Sequence, residues 1–79
     1  MKDALLYIIS SIVDNPKKVK IEEDEQDGII NFTVTVAKED MGKVIGKEGK
    51  IIRAIRTVMK IPAIKQNKRI NITLNETPQ

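Results

Sequence analysis

The clearest pattern in the chain is an alternation of apolar and polar residues over positions 29–37. Every second residue in this stretch is apolar, namely Ile30, Phe32, Val34 and Val36. Because successive side chains of a strand point to opposite faces, the alternation predicts a strand with one buried face. Shorter alternations predict two more strands, one over residues 18–22 and one over residues 69–74.

Other stretches have helical spacing. Over Lys2–Val13, apolar residues recur at intervals of three and four, and Asp14-Asn15-Pro16 ends the helix because the residue before a proline is pushed out of the helical region. A short helix is predicted over Met41–Ile45, where Asp40 stands in position to cap it.

A longer helix is predicted over Lys50–Lys60. Its apolar side consists of Ile51, Ile52, Ala54, Ile55, Val58 and Met59. Ile61-Pro62 is expected to end this helix, and residues 62–68 are expected to form a polar, basic loop.

The acidic run Glu22–Gly28 is expected to be a turn that joins the first two strands. Asp27-Gly28 is a strong hairpin signal. The alternative of a cation site is disfavoured, because the run lacks the alternating ligands and terminal glutamate of a calcium loop. We therefore predict no metal site.

The predicted order is α-β-β-α-α-β, and the fold class is α+β. The two helices between the last two strands form a crossover, so these strands should run parallel, while the hairpin adds an antiparallel strand. The result is a three-stranded mixed sheet with helices packed on one face. We expect a single domain over residues 1–79, with a core from about residue 5 to residue 74 and a flexible tail at 75–79.

Composition argues against most catalysis. The chain has no cysteine and no histidine, so it lacks thiolate ligands, disulfides and the commonest general base. We predict no catalytic residue, no cofactor and no small-molecule substrate. The apolar stretch Ala4–Ile9 is too short to span a bilayer, and a cytoplasmic location without a membrane partner is expected.

Charge is distributed unevenly along the chain. Residues 1–42 carry nine acidic and five basic side chains, whereas residues 43–69 carry nine basic side chains and one acidic side chain, Glu48. A basic half of this kind favours a polyanionic partner, although solvated lysines on a helix surface would give the same pattern.

The basic half is centred on the turn Gly46-Lys47-Glu48-Gly49, between the two predicted helices. A glycine on each side permits positive φ and a close approach of another backbone. The turn leads into a helix N-terminus, where free N–H groups attract anions. A phosphate backbone could therefore lie across this turn.

The residues Val44–Ile52 resemble the Ile-Gly-x-x-Gly core of KH domains, whose GXXG loop clamps a short single strand by its backbone. Over most of its length the chain resembles the small bacterial single-KH RNA-binding proteins, and the element order matches the type II (prokaryotic) KH arrangement. The resemblance implies non-catalytic binding of single-stranded RNA, in the role of an RNA chaperone or post-transcriptional regulator.

The expected RNA site combines the basic turn with an apolar groove between the helices and the strand at 29–37. Backbone N–H groups from Gly46 to Lys50 and the Lys47 ammonium would meet phosphates, and Glu48 would weaken binding. Ile55 is expected in the core rather than in the groove. The predicted site residues are Lys43, Val44, Ile45, Gly46, Lys47, Glu48, Gly49, Lys50, Ile52 and Arg53.

Other functions fit the sequence less well. A P-loop is excluded because Gly42 and Gly46 stand one residue too close together. An RRM would need a set of sheet aromatics, and the chain has only Tyr7 and Phe32. The main alternative is a protein-interaction module that forms a homodimer, or a heterodimer with a larger KH-containing RNA-binding protein, through the apolar surface of the long helix.

Overall fold

The alternating stretch forms the central strand of a three-stranded sheet. A computed structural model describes residues 1–77 of the chain. The helices and strands are α1 (Lys2–Ile12), β1 (Lys20–Gln26), β2 (Ile29–Val36), α2 (Met41–Ile45), α3 (Lys50–Lys65) and β3 (Arg69–Glu76). Short 3₁₀ turns lie at Pro16–Lys18, Lys38–Asp40 and Lys47–Gly49.

The sheet has the order β1-β2-β3, with β2 in the middle. β1 runs antiparallel to β2, and β3 runs parallel to β2, so that Phe32 lies between Glu23 and Ile72. Asp27 (φ 52°) and Gly28 (φ 76°) form the two-residue turn between β1 and β2, as their sequence predicted. The α-β-β-α-α-β order and mixed sheet are those of a type II KH fold, and the predicted fold class is confirmed.

The core lies between one face of the sheet and the helices. Alternate residues of β2 are fully or almost fully buried, because they face the helices. The helix residues packed against them include Leu5 and Ile9 of α1, Val44 of α2, and Ile52, Ile55 and Met59 of α3. The other face of β2 carries half-buried asparagine and threonine.

The acidic run is mostly strand, so its prediction as a turn was wrong. Residues 22–26 pair with β2 over their whole length, and only Asp27 and Gly28 form the turn. β1 is an edge strand in which Ile21 alone is buried. Charged side chains are tolerated there because residues 22–26 are exposed to water on both faces of the strand.

The predicted end of the long helix was also wrong. α3 continues through Pro62 to Lys65 rather than ending at Lys60. A proline inside a helix removes one backbone hydrogen bond. Ala63, at the next position, is buried in the core, so the extended helix places a further apolar side chain there.

The helix instead ends in a Schellman motif at Asn67. Asn67 takes a left-handed conformation (φ 56°). Its N–H donates to the carbonyl of Ile64 at 3.0 Å, and the N–H of Lys68 donates to that of Ala63 at 2.9 Å. Asparagine adopts this conformation more readily than other residues with a side chain, which explains why the helix ends here.

The end of the chain also differs from the prediction. Asn75 and Glu76 belong to β3, although the sequence placed them in a flexible tail. The N–H of Thr77 donates to the carbonyl of Val36 at 2.9 Å. The last part of the predicted tail, residues 78 and 79, lies outside the described residues.

Asp40 joins the end of α1 to the start of α2. The sequence predicted that Asp40 caps α2, but its side chain makes no capping hydrogen bond to that helix. Its carboxylate is fully buried and accepts hydrogen bonds from the N–H of Asp14 (3.1 Å), and from the N–H and side-chain amide of Asn15 (3.0 and 3.1 Å). Burial raises the pKa of Asp40, but these hydrogen bonds and nearby Lys43 outweigh it and hold the pKa below its ordinary value.

We predict that Asp40→Asn lowers the melting temperature by about 5–10 °C at neutral pH, because the amide nitrogen that replaces one carboxylate oxygen cannot accept the hydrogen bond from Asp14 or those from Asn15. The depressed pKa means that the carboxylate stabilises the fold above its unfolded pKa of about 3.9, and that this contribution is lost as pH falls through the lower folded value. The difference between wild type and variant should therefore shrink in acid.

The melting temperatures of wild type and Asp40→Asn can be compared by thermal unfolding, followed by circular dichroism, from neutral pH to strong acid. Glu39→Gln is the matched control, because Glu39 is exposed and accepts a single hydrogen bond from the Asn15 amide. An equal loss in both variants, or a difference that persists in strong acid, would contradict the assigned role of Asp40.

Candidate RNA-binding turn and the surfaces beside it

The turn between α2 and α3 reverses the chain through three residues with positive φ. Gly46 (φ 75°, ψ 173°) lies in a region that is almost exclusive to glycine. Glu48 (φ 58°, ψ 24°) and Gly49 (φ 74°, ψ 18°) are both left-handed. Lys47 and Glu48 are exposed at the tip. The turn therefore interrupts the helix sharply and presents two residues to solvent.

The two glycines of the turn are required for different reasons. A Cβ atom at Gly46 would come within 2.5–2.8 Å of side-chain atoms of Ile51. Gly46 thus needs both its dihedral angles and the absence of a side chain. At Gly49, by contrast, a Cβ atom would meet nothing within 4 Å, so that only the positive φ favours glycine.

The amide groups of the turn are only partly available to a ligand. The N–H of Gly46 donates to the Gly42 carbonyl (2.8 Å), that of Gly49 to the Gly46 carbonyl (3.2 Å), and that of Lys50 to the Lys47 carbonyl. Within residues 1–77, the N–H groups of Lys47 and Glu48 have no hydrogen-bond acceptor. Of the five amides predicted to meet phosphate, these two remain available.

Lys43 lies beside the turn but is engaged elsewhere. Its ammonium forms an ion pair with the carboxylate of Asp14, at the end of α1. The hydrogen bond from Lys43 to Asp14 raises the pKa of Lys43; burial opposes this rise, and the charges of Asp14 and Asp40 add to it. Lys43 therefore serves first to hold α2 against the end of α1.

Two of the residues predicted to line an apolar groove beside the turn lie in the core instead. Val44 is completely buried and Ile52 is only 6% exposed, because both side chains point into the core. The strand expected to form the opposite wall, β2, lies in the middle of the sheet. Ile45 is the one predicted groove residue that reaches solvent, at 37% exposure, and Ile55 lies in the core as expected.

One side of α3 instead faces the edge strand β3 and is basic. Arg53, Arg56 and Lys60 recur at intervals of three and four and are all exposed. A guanidinium N–H of Arg56 donates to the Ile72 carbonyl of β3 at 3.3 Å. Arg56 is not among the site residues predicted from the sequence, although its spacing from Arg53 was a usable signal.

The backbone of β3 has a free edge beside this basic side. The N–H of Arg69 donates to Gly28, next to β2, and that of Thr77 donates to Val36 of β2. In a parallel pair, alternate residues bond to the same neighbour. The N–H and carbonyl groups of the intervening residues Ile70, Ile72 and Leu74 therefore point away from the sheet.

The opposite side of α3 borders an open apolar groove against α1. The groove has a volume of about 370 Å³. Its lining residues are Ile8, Ile12, Lys50, Ile51, Ala54, Ile55 and Val58. Beyond the groove, Ile61 and Ile64 are 57% and 69% exposed on the same helix. This apolar surface is largely separate from the basic side of α3.

Neither a membrane span nor a metal cluster occurs in the described part of the chain. No helix within residues 1–77 has the length and hydropathy needed to cross a bilayer. In the same residues, aspartate and glutamate side chains do not gather in groups of three or more that could hold a metal ion.

Residues 2–74 match the family model described as KhpA/KhpB, KH domain. The chain is similar to the RNA-binding protein KhpA of Clostridium acetobutylicum, with 47% identity over 74 residues, covering 94% of this chain and 99% of the relative. It is also similar to the protein of that name from Chlamydia caviae, with 45% identity over 76 residues, covering 96% of this chain and 97% of the relative. The resemblance to a small single-KH protein is confirmed.

We predict that Gly46→Ala destabilises the fold by about 3 kcal/mol, because a methyl group would both force unfavourable dihedral angles and collide with Ile51. Gly49→Ala should cost about 1 kcal/mol, since only its φ is unfavourable. Gly42→Ala is the matched control: Gly42 is helical with open space around it, and alanine there should stabilise by about 0.5–1 kcal/mol. Urea unfolding of the three variants measures this order, and similar losses at positions 46 and 49 would contradict it.

Proposed function

Because this chain belongs to the KhpA/KhpB KH-domain family, we propose that it binds single-stranded RNA, without catalysis, through the turn Gly46–Lys50. The observation that carries the proposal is the left-handed turn, which leaves the N–H groups of Lys47 and Glu48 exposed and without acceptors in the described chain. Successive N–H groups in such a turn form a concave site for anions.

In this proposal, a phosphate oxygen accepts hydrogen bonds from the amides of Lys47 and Glu48. The Lys47 ammonium lies on the same exposed tip and adds a direct charge contact. Lys50, at the start of α3, adds longer-range attraction. Lys43 contributes less, because Asp14 already neutralises it.

The bases would lie between the basic side of α3 and the free edge of β3. The outward N–H and carbonyl groups of Ile70 and Ile72 can pair with base edges, and Arg56 lies beside them, where it donates to the carbonyl of Ile72. Ile45 offers the apolar contact nearest the turn. This placement replaces the groove against β2 that the sequence suggested.

Binding by one domain should be weak. No aromatic side chain lies on α3 or β3, so the bases lose the stacking energy of about 1–3 kcal/mol each that aromatic platforms provide. The exposed carboxylate of Glu48 stands beside the phosphate path and lowers affinity further. Weak, salt-dependent binding with modest base preference suits a cytoplasmic RNA chaperone or post-transcriptional regulator.

The double change Lys47→Asp with Glu48→Asp tests the turn. It replaces a cation with an anion at the phosphate contact and should reduce affinity for a short, unstructured RNA by more than about tenfold, with a shallower salt dependence. Fluorescence anisotropy at several salt concentrations measures both quantities.

Lys20→Asp is the control for this experiment. It makes the same change of charge on the solvent face of β1, on the side of the sheet away from the helices. Its affinity should stay within about twofold of wild type. RNA binding that is unaffected by the double change, with the fold intact, would remove the turn from the site.

The apolar surface of α1 and α3 favours a second role, in pairing with another protein chain. The groove, which includes Val58, and the adjoining Ile61 and Ile64 form a contiguous aliphatic surface rather than scattered exposed residues. A homodimer, or a heterodimer with a larger KH-containing RNA-binding protein, would cover this surface. Because Lys47 and Glu48, at the tip of the turn, do not line the groove, pairing would bring two RNA sites together and raise the affinity for longer RNA.

We predict that Val58→Lys prevents pairing, because it places a charge in the groove of an apolar interface. Val58 is 51% exposed, so the monomer should fold normally. Sedimentation velocity over a range of concentrations measures the change. Thr57→Lys, at an exposed neighbouring position that does not line the groove, should leave the sedimentation of wild type unaltered; a monomeric wild-type protein at high concentration would exclude pairing with itself.

A further inference from the structure

The guanidinium group of Arg53 is folded back onto the turn that precedes its helix. One terminal N–H donates to the carbonyl of Glu48 at 2.9 Å, and the N–H at Nε donates to the carbonyl of Gly49 at 3.2 Å. Both acceptors belong to left-handed residues. Arg53 thus binds the part of the turn in which the backbone departs furthest from ordinary geometry.

The left-handed conformation of Glu48 needs such support. A residue with a side chain pays a steric cost in this region, and it stays there only when its surroundings fix the conformation. Adjacent Gly49 is flexible by nature and does not supply that restraint. Two hydrogen bonds from one planar, charged group hold both peptide units at once.

We propose that Arg53 is a positioning residue of the RNA-binding turn rather than a phosphate contact. This inference rests on the proposed function and reassigns a residue that the sequence placed among the RNA contacts. By fixing the carbonyls of Glu48 and Gly49, Arg53 keeps the N–H groups of Lys47 and Glu48 directed outward before RNA arrives. RNA then binds a turn that is already ordered, and less binding energy is spent on ordering it.

An arginine meets this requirement and a lysine does not. The guanidinium presents N–H donors in a rigid fork, whereas the lysine ammonium is a single point at the end of a flexible chain. Arg53→Lys therefore keeps the charge but loses the paired hydrogen bonds. It separates the positioning role from a purely electrostatic one.

Arg53→Lys should weaken RNA binding by about five- to tenfold, while the slope of affinity against salt concentration stays that of wild type. In the protein without RNA, the backbone amide resonances of Glu48 and Gly49 should shift, and the amide hydrogen of Gly49, which donates to the carbonyl of Gly46, should exchange faster. Nuclear magnetic resonance of the labelled chain and anisotropy titrations with a short RNA provide these measurements.

Two variants serve as controls. Arg56→Lys changes an arginine one turn further along α3 that contacts Ile72 instead of the turn, so the resonances of Glu48 and Gly49 should not move. Lys50→Gln removes a charge and should reduce the salt slope by about one phosphate contact or less. Neither variant should reproduce the combination expected for Arg53→Lys.

The outcomes are distinct. If Arg53→Lys leaves the turn resonances unchanged, the positioning role is overturned, whether or not affinity falls. If the resonances shift but affinity stays at the wild-type value, the turn is held by Arg53 without consequence for binding, and the inference is also overturned. If wild type itself fails to bind RNA, the proposed function fails, and the resonances still report whether Arg53 holds the turn.

Discussion

The structure depends on the close contact between the backbone of Gly46 and the side chain of Ile51. This contact lets only four residues separate the end of α2 from the start of α3, with the two helices turned sharply against each other. Val44 and Ile52 can then both reach the core from opposite sides of the turn. The same reversal leaves Lys47 and Glu48 at the tip, without neighbours above them. Packing of the core and exposure of the turn are therefore two results of one constraint.

Much of the fold follows from short-range patterns in the sequence. The alternation around Phe32 and the Asp27-Gly28 signal are local, and each was sufficient to predict its element. The failures also have local causes. The acidic residues of β1 resemble a turn because an edge strand needs few apolar side chains. Pro62 resembles a helix end because the sequence does not show that Ala63 is buried and favours another helical turn.

The candidate site was predictable in position but not in detail. Two glycines between helical segments were enough to locate the turn. The partners of individual side chains could not be predicted, because they depend on residues that are distant in the sequence. Lys43, for example, is neutralised by Asp14, which follows another helix. Aliphatic residues next to the turn posed a different problem. Val44 could line a groove or fill the core with the same sequence, and only the position of the sheet decides between them.

The arrangement at the two edges of the sheet has a consequence for solubility. Open strand edges are templates on which other chains can add and form aggregates. Here β1 carries four carboxylates in succession, so two such edges repel one another. At the other edge, Arg56 places a cation on an outward carbonyl of β3. The molecule can thus keep one backbone edge accessible without inviting amyloid-like growth from it.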